Sequence, residues 1–185
     1  MKLLKYTLAF AALAICSIGF SQQNEAKAIL DQLSEKTRKY PSITSAFTFT
    51  LDDQAADVHH SQEGVLKMKG NSYFIQLGEN QIYSDGRTRW TYSEEMNEVY
   101  IDNAQGDDNA LNPTEIFTVW ETGFKQYYQK EVQEGGRTCH LIKLTPTDPA
   151  DKSFHTVNLY IDKAKLEIVK IVILGKQGDN FTYDV

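Results

Sequence analysis

The residues with which this sequence could do chemistry are few. Its 185 residues include 4 His and 2 Cys. His59-His60 lies near Asp52, Asp53 and Asp57, which on composition could be drawn as a metal cluster. Adjacent histidines on a strand point to opposite faces, so both cannot reach one ion from there. The segment reads instead as a hairpin loop with solvated acids. His140 and His155 are lone histidines in strand-like segments and read as packed or surface residues. Asp107-Asp108 has no carboxylate partner at useful spacing. Cys139 sits in an alternating apolar segment, Thr138 to Leu144, and reads as a small buried hydrophobe. The chain has no G-x-S-x-G, C-x-x-C, Gly-rich phosphate loop or H-E-x-x-H. No catalytic residue, metal site or cofactor is assigned, and no feature supports an enzyme.

Charge narrows the partners. Of 19 basic and 25 acidic side chains, Lys2 and Lys5 lie in the first 21 residues, which leaves 17 against 25, or −8. A surface that acidic gains nothing from a phosphate backbone. Lys67, Lys69, Lys163, Lys165 and Lys170 alternate with apolar residues as solvated strand faces do, and do not form a nucleic-acid track. Nucleic acid is therefore excluded as a partner.

Met1 to Ser21 reads as a secretory signal. Lys2 and Lys5 make a positive start, Leu8 to Ile18 an apolar core, and Gly19-Phe20-Ser21 a small-residue cleavage site. The apolar run is too short to span a bilayer. Ile15 stands where a lipidation site before Cys16 takes Gly, Ala or Ser, which argues against an anchored Cys. Cleavage removes Cys16 and leaves Cys139 alone, without an internal disulfide. The expectation is an exported, soluble single domain over residues 22–185.

Asn24 to Tyr40 reads as an amphipathic helix with Ile29, Leu30, Leu33 and Tyr40 on one stripe, ended by Pro41. The period then switches to two, and short strands follow at hairpin spacing. Turns are expected at Ser84-Asp85-Gly86-Arg87, Glu94 to Asn97, Gly135-Gly136, Lys163-Ala164 and Gln177 to Asn180. Asn103 to Asn109 is loop-like, and Asn112-Pro113 opens a second short helix that carries Phe117 and Trp120 and stops at Gly123.

The fold class is mainly β (α+β). About eleven antiparallel strands make a curved half-barrel whose concave side is plugged by a helical lid, with an apolar cavity between. The first strands offer Phe47, Phe49, Leu66, Met68, Tyr73, Ile75 and Leu77 to that space. The next pair offers Trp90, Tyr92, Val99 and Ile101, and the second helix Phe117 and Trp120. The last strands offer Leu144, Val157, Leu159 and Ile161. Periodicity alone leaves two readings open: these side chains line a concave wall, or they pack a solid core.

A resemblance separates the two. Ile82-Tyr83-Ser84-Asp85-Gly86-Arg87-Thr88-Arg89-Trp90-Thr91-Tyr92 resembles the S-D-G-K-T-x-W-x-Y hairpin of the periplasmic outer-membrane lipoprotein carrier (LolA-like) family. In family order around it come the N-terminal helix, Ser45-Ala46-Phe47, Glu63-Gly64-Val65-Leu66, Leu144-Thr145-Pro146 and Leu159-Tyr160-Ile161-Asp162. The resemblance implies a monomeric periplasmic carrier that shields the acyl chains of lipoproteins between the inner and outer membranes. It implies three partners: acylated lipoproteins, an inner-membrane lipoprotein-releasing ABC transporter, and an outer-membrane receptor or acceptor. The alternative is a lipid-binding or envelope-stress-sensing protein of the same fold. Family members carry a lid-controlling Arg where Gly70 stands, so Lys69 is the candidate for lid control, though without the guanidinium fork. Family members usually run on beyond the point matching Val185, so a shorter tail or a continuation of the chain is expected.

Overall fold

The computed structural model describes residues 22–53, 55–104, 119–150 and 152–185. The N-terminal helix α1 spans residues 22–38. Ala26, Leu30 and Leu33 recur at helical spacing, and all three are buried. The helix stops two residues before the expected Tyr40. The Lys39 and Tyr40 amides donate to the carbonyls of Lys36 and Thr37 at 3.1 Å, a final tightened turn. Tyr40 is exposed and does not join the buried stripe. The position before Pro41 disfavours a further helical residue.

Eleven strands follow: β1 (Ile43–Asp53), β2 (Val58–Lys69), β3 (Ser72–Leu77), β4 (Asn80–Ser84), β5 (Thr88–Ser93), β6 (Glu98–Asn103), β7 (Phe124–Glu134), β8 (Arg137–Pro146), β9 (Phe154–Asp162), β10 (Ile168–Gly175) and β11 (Asp179–Asp184). A short 3₁₀ turn, Val119–Glu121, precedes β7. The rest of the expected second helix lies outside the described residues, as do Asp107-Asp108 and Phe117. β2 starts earlier than the sequence suggested, so His59 and His60 are strand residues, not part of a loop.

The strands form one antiparallel sheet in the order β6-β5-β4-β3-β2-β1-β11-β10-β9-β8-β7. The chain enters at the centre, walks out to one edge at β6, resumes at the other edge at β7 and walks back. β11 then pairs with β1, joining two meanders into a curved sheet that does not close.

Among the described residues, the core cluster that holds α1 draws its strand residues from β7–β11. The apolar stripe of α1 shares that cluster with Ile142, Leu144, Val157, Leu159, Ile161, Ile171 and Ile173. Register explains the set: Leu159 pairs with Ile142 on one side and with Ile171 on the other, so all three point to one face. The Trp120 indole N–H donates to Ser34 Oγ at 3.0 Å, tying the 3₁₀ turn to the helix. The Arg38–Glu121 pair at 2.5 Å and the Lys36–Glu167 pair at 2.8 Å add surface links of small value.

This division predicts unequal costs. Leu30→Ala should lower stability by about 2–5 kcal/mol, whereas Ile101→Ala, at a side chain 66% exposed, should stay within about 0.5 kcal/mol. Urea unfolding of the two variants checks this.

Candidate functional site

Residues paired across an antiparallel ladder stand on the same face, so the register assigns every side chain of β1–β6 to the inner or outer side. Phe49 pairs with Tyr183, and Tyr183 with Ile171 of the core, which fixes the inner face. From there Phe47, Phe49 and Leu51 of β1 point inward, as do Leu66 and Met68 of β2, Tyr73, Ile75 and Leu77 of β3, and Ile82 of β4. The ladder β1 to β6 has no register shift, so the assignment does not slip.

These side chains form an apolar wall beside the α1-covered half. Leu66 and Tyr73 are buried, and Phe47, Phe49, Met68, Ile75, Leu77 and Ile82 half-buried. The seam is aromatic: the Phe49 ring lies 5.2 Å from Tyr183 and 6.2 Å from Phe181, and Phe47 lies 6.0 Å from Tyr183. Burial holds the Tyr183 hydroxyl above its usual pKa. Gly64 makes room for Phe47, because a Cβ there would meet the Phe47 ring at 2.5 Å.

One strand further on, polarity reverses. Ile82 pairs with Thr91, and Thr91 with Tyr100, while Ser84 pairs with Arg89, and Arg89 with Asp102. The inner face of β5 and β6 therefore carries Arg89, Thr91, Ser93, Glu98, Tyr100 and Asp102. Trp90, Tyr92, Val99 and Ile101 alternate with these and stand on the outer face, beside Phe74 and Tyr83. This corrects the expectation that they join the wall. Two-residue periodicity is blind to which phase faces inward, and here the apolar phase faces outward. Trp120, Leu144, Val157, Leu159 and Ile161 lie in the core with α1 and are not part of the wall. Lys69, the candidate for lid control, is exposed and follows Met68 onto the outer face. The basic residue that register brings inward in β1–β6 is Arg89, beside Trp90 in a hairpin whose inner face local alternation does not fix.

A family model described as outer membrane lipoprotein carrier protein LolA matches residues 17–171. This chain belongs to the LolA family. The comparison with curated proteins returns no match. Among solved structures, LprF from Mycobacterium bovis is similar with a TM-score of 0.54 at 14% identity, over 87% of this chain and 91% of that one. An outer membrane lipoprotein-sorting protein domain from Vibrio parahaemolyticus is similar with a TM-score of 0.52 at 10% identity, over 88% and 90%. The lipoprotein LppX of Mycobacterium tuberculosis is similar with a TM-score of 0.50 at 11% identity, over 85% and 93%. At these identities the likeness is one of fold.

The motif that resembled the LolA family is turn chemistry. Asp85 Oδ1 accepts the Arg87 and Thr88 amides at 2.8 Å, and Ser84 Oγ accepts the Gly86 amide at 3.0 Å. Those amides hold the Asp85 carboxyl below its ordinary pKa. Gly86 has φ +89°, and a Cβ there would strike Asn71. The motif builds the β4–β5 hairpin and so sets the phase in which Arg89 points inward.

The histidines do not converge. His59 is exposed on the outer face, with Nδ1 3.7 Å from Asp52, while His60 faces inward and bonds Gln62. His155 Nδ1 meets Thr156 Oγ1 at 2.9 Å. Among the described residues no three metal-ligating side chains cluster. Cys139 is buried, and burial raises its thiol pKa, which disfavours the thiolate. His140 faces inward near α1, with Nδ1 3.4 Å from the Tyr128 hydroxyl. Burial holds its pKa below 6.5; Glu131 and Glu25 oppose that shift, and Lys163 reinforces it.

Two measurements check these placements. With Trp120→Phe the remaining Trp90 should be quenched readily by acrylamide. With Trp90→Phe the remaining Trp120, 1% exposed, should be blue-shifted and protected. The second concerns pH. As pH falls through about 6.5 the unfolded chain takes up the His140 proton first, so the folded state loses stability there. The fall in Tm from pH 7.5 to 5.5 should be shallower in His140→Gln than in the unsubstituted protein.

Proposed function

We propose that this protein is a periplasmic carrier that shields the acyl chains of lipoproteins on their way from the inner to the outer membrane. The observation that supports it is the apolar wall: a run of large side chains on one face of β1–β4, beside the solid core and outside it. Membership of the LolA family supports the same reading. The physical need is large. Each CH₂ moved into water costs about 0.8 kcal/mol, so one long chain costs roughly 10 kcal/mol and free diffusion is negligible.

In this reading Phe47, Phe49, Leu66, Met68, Ile75 and Leu77 act by burial, and no bond is made or broken. A lid such as the family resemblance implies would give up its contacts with the wall as the cargo makes them. The difference between two large burials keeps the net affinity low enough for release. An inner-membrane releasing transporter would load the carrier and an outer-membrane acceptor would unload it, with the carrier acting as a monomer.

The second reading is a same-fold protein for a free lipid, and the inward guanidinium of Arg89 beside the wall favours it. Native mass spectrometry of the protein purified from the periplasm separates them: an adduct of a triacylated lipoprotein is expected for the first, a free lipid for the second. Ile75→Asp, on the wall, should remove the adduct, whereas Val99→Asp, on the outer face, should leave it. An adduct indifferent to Ile75→Asp would overturn the wall as the binding surface.

A further inference from the structure

We propose that the Tyr183 hydroxyl donates a hydrogen bond to the uncharged carbonyl oxygen at the head of an acyl chain, in an ester or an amide, while the chain lies along the β1–β4 wall. This rests on the reading that the wall holds acyl chains, and it adds the polar group that would fix where the head of a chain stops.

Placement comes first. Tyr183 stands where the wall meets the core, in the inner-face row Leu159–Ile171–Tyr183–Phe49–Gln62. Its ring leans towards the wall, because its two aromatic contacts, Phe49 at 5.2 Å and Phe47 at 6.0 Å, both belong to β1. The side chain is half-buried, so part of it stays open to a ligand lying on Phe47 and Phe49.

Chemistry comes second. A tyrosine O–H drawn out of water ordinarily finds an acceptor, because the lost hydration is otherwise not replaced. The hydroxyls of Tyr83, Tyr100 and Tyr128 meet Gln81, Glu98 and His140 at 2.7, 2.7 and 3.4 Å. Among the described residues no acceptor or charge stands at the Tyr183 hydroxyl, and burial alone acts on its titration. Gln62, the polar side chain at the far end of its row, is bonded to His60.

The acceptor that fits is uncharged. Neither this row nor the rows beside it, through Phe181 and Leu51 and through Phe47 and Gly64, holds a Lys or Arg. A carboxylate or phosphate brought here would lose hydration without gaining a counter-charge. An ester or amide carbonyl accepts a hydrogen bond and brings no charge, and acyl chains are joined to larger molecules through these two linkages.

The test titrates the full-length protein and its Tyr183→Phe variant with methyl dodecanoate, N-methyldodecanamide and tridecane, three ligands with similar tails. The substitution removes the hydroxyl and keeps the ring. It should weaken binding of the ester, the amide or both by about two- to tenfold and leave the alkane unchanged. The ester and amide compared show which linkage is preferred. The C=O stretch of the isotope-labelled bound ligand should lie lower in the unsubstituted protein than in Tyr183→Phe. Without ligand the Tm should not fall, since no bond within the protein is lost. Ester and amide binding indifferent to Tyr183→Phe, or a loss shared equally by the alkane, overturns the proposal and leaves the acyl-binding wall standing. A lower Tm in the ligand-free variant shows the hydroxyl already partnered and overturns it too. Failure of all three ligands to bind the unsubstituted protein overturns the wall itself.

Discussion

A two-residue pleat, carried without slip from β1 to β6, decides what this molecule can present on either side. Because opposite residues share a face, the phase chosen at Phe49 is inherited three and four strands away by Ile82 and Thr91. No later strand can rotate its side chains independently. The ladder of the second meander is less strict, with shifts between Tyr128 and Lys130 and between Ile168 and Lys170. Those shifts occur where α1 packs and where Leu166, at φ +54°, turns the chain. Local twist there re-aims side chains under the helix.

Given that inheritance, the inversion at β5 is a property of the sequence within a fixed frame. Trp90 and Tyr92 would face the wall only if the hairpin slipped by one residue. Asp85 prevents this by gripping the Arg87 and Thr88 amides together, and Gly86 by adopting a φ that other residues reach only with strain. A one-residue insertion in that turn would exchange the two faces of β5 and β6. The aromatic residues would then extend the wall, and Arg89 would lie in water. The turn motif thus governs the polarity of the inner face without touching any ligand.

Much of this was legible in the sequence. The strand limits of β7, β8 and β9 follow from alternation bounded by Gly135-Gly136 and by Lys163-Ala164, where Asp162 Oδ1 takes the Ala164 and Lys165 amides. The inward set Phe47, Leu66, Met68, Tyr73 and Ile75 was legible because hydrophobic-in is the common phase of a half-buried strand. Trp90, Tyr92, Val99 and Ile101 were assigned to the wrong face by the same rule. Their face depends on register inherited from distant strands, and no local pattern carries that. His59 and His60 were read as loop because β2 is polar over its first residues. They are held in strand by pairing with β1 and not by their own propensity.

The two meanders also differ in how their apolar faces are satisfied, and that difference bears on loose binding. Under α1 the side chains of Ile142, Leu144, Val157 and Leu159 have no exposed surface at all. Such packing resists volume changes of even one methylene. Phe47, Phe49, Met68 and Leu77 keep part of their surface accessible while presenting comparable apolar bulk. A face packed to the first standard holds one partner in one shape, whereas the second tolerates chains that differ in length and in kink. Aromatic rings with a flexible thioether among them are suited to the latter. On the proposed carrier reading, the solidly packed α1 half would be the scaffold and the half-buried β1–β4 wall the surface that repacks around cargo, with the β1–β11 pairing as the joint between them.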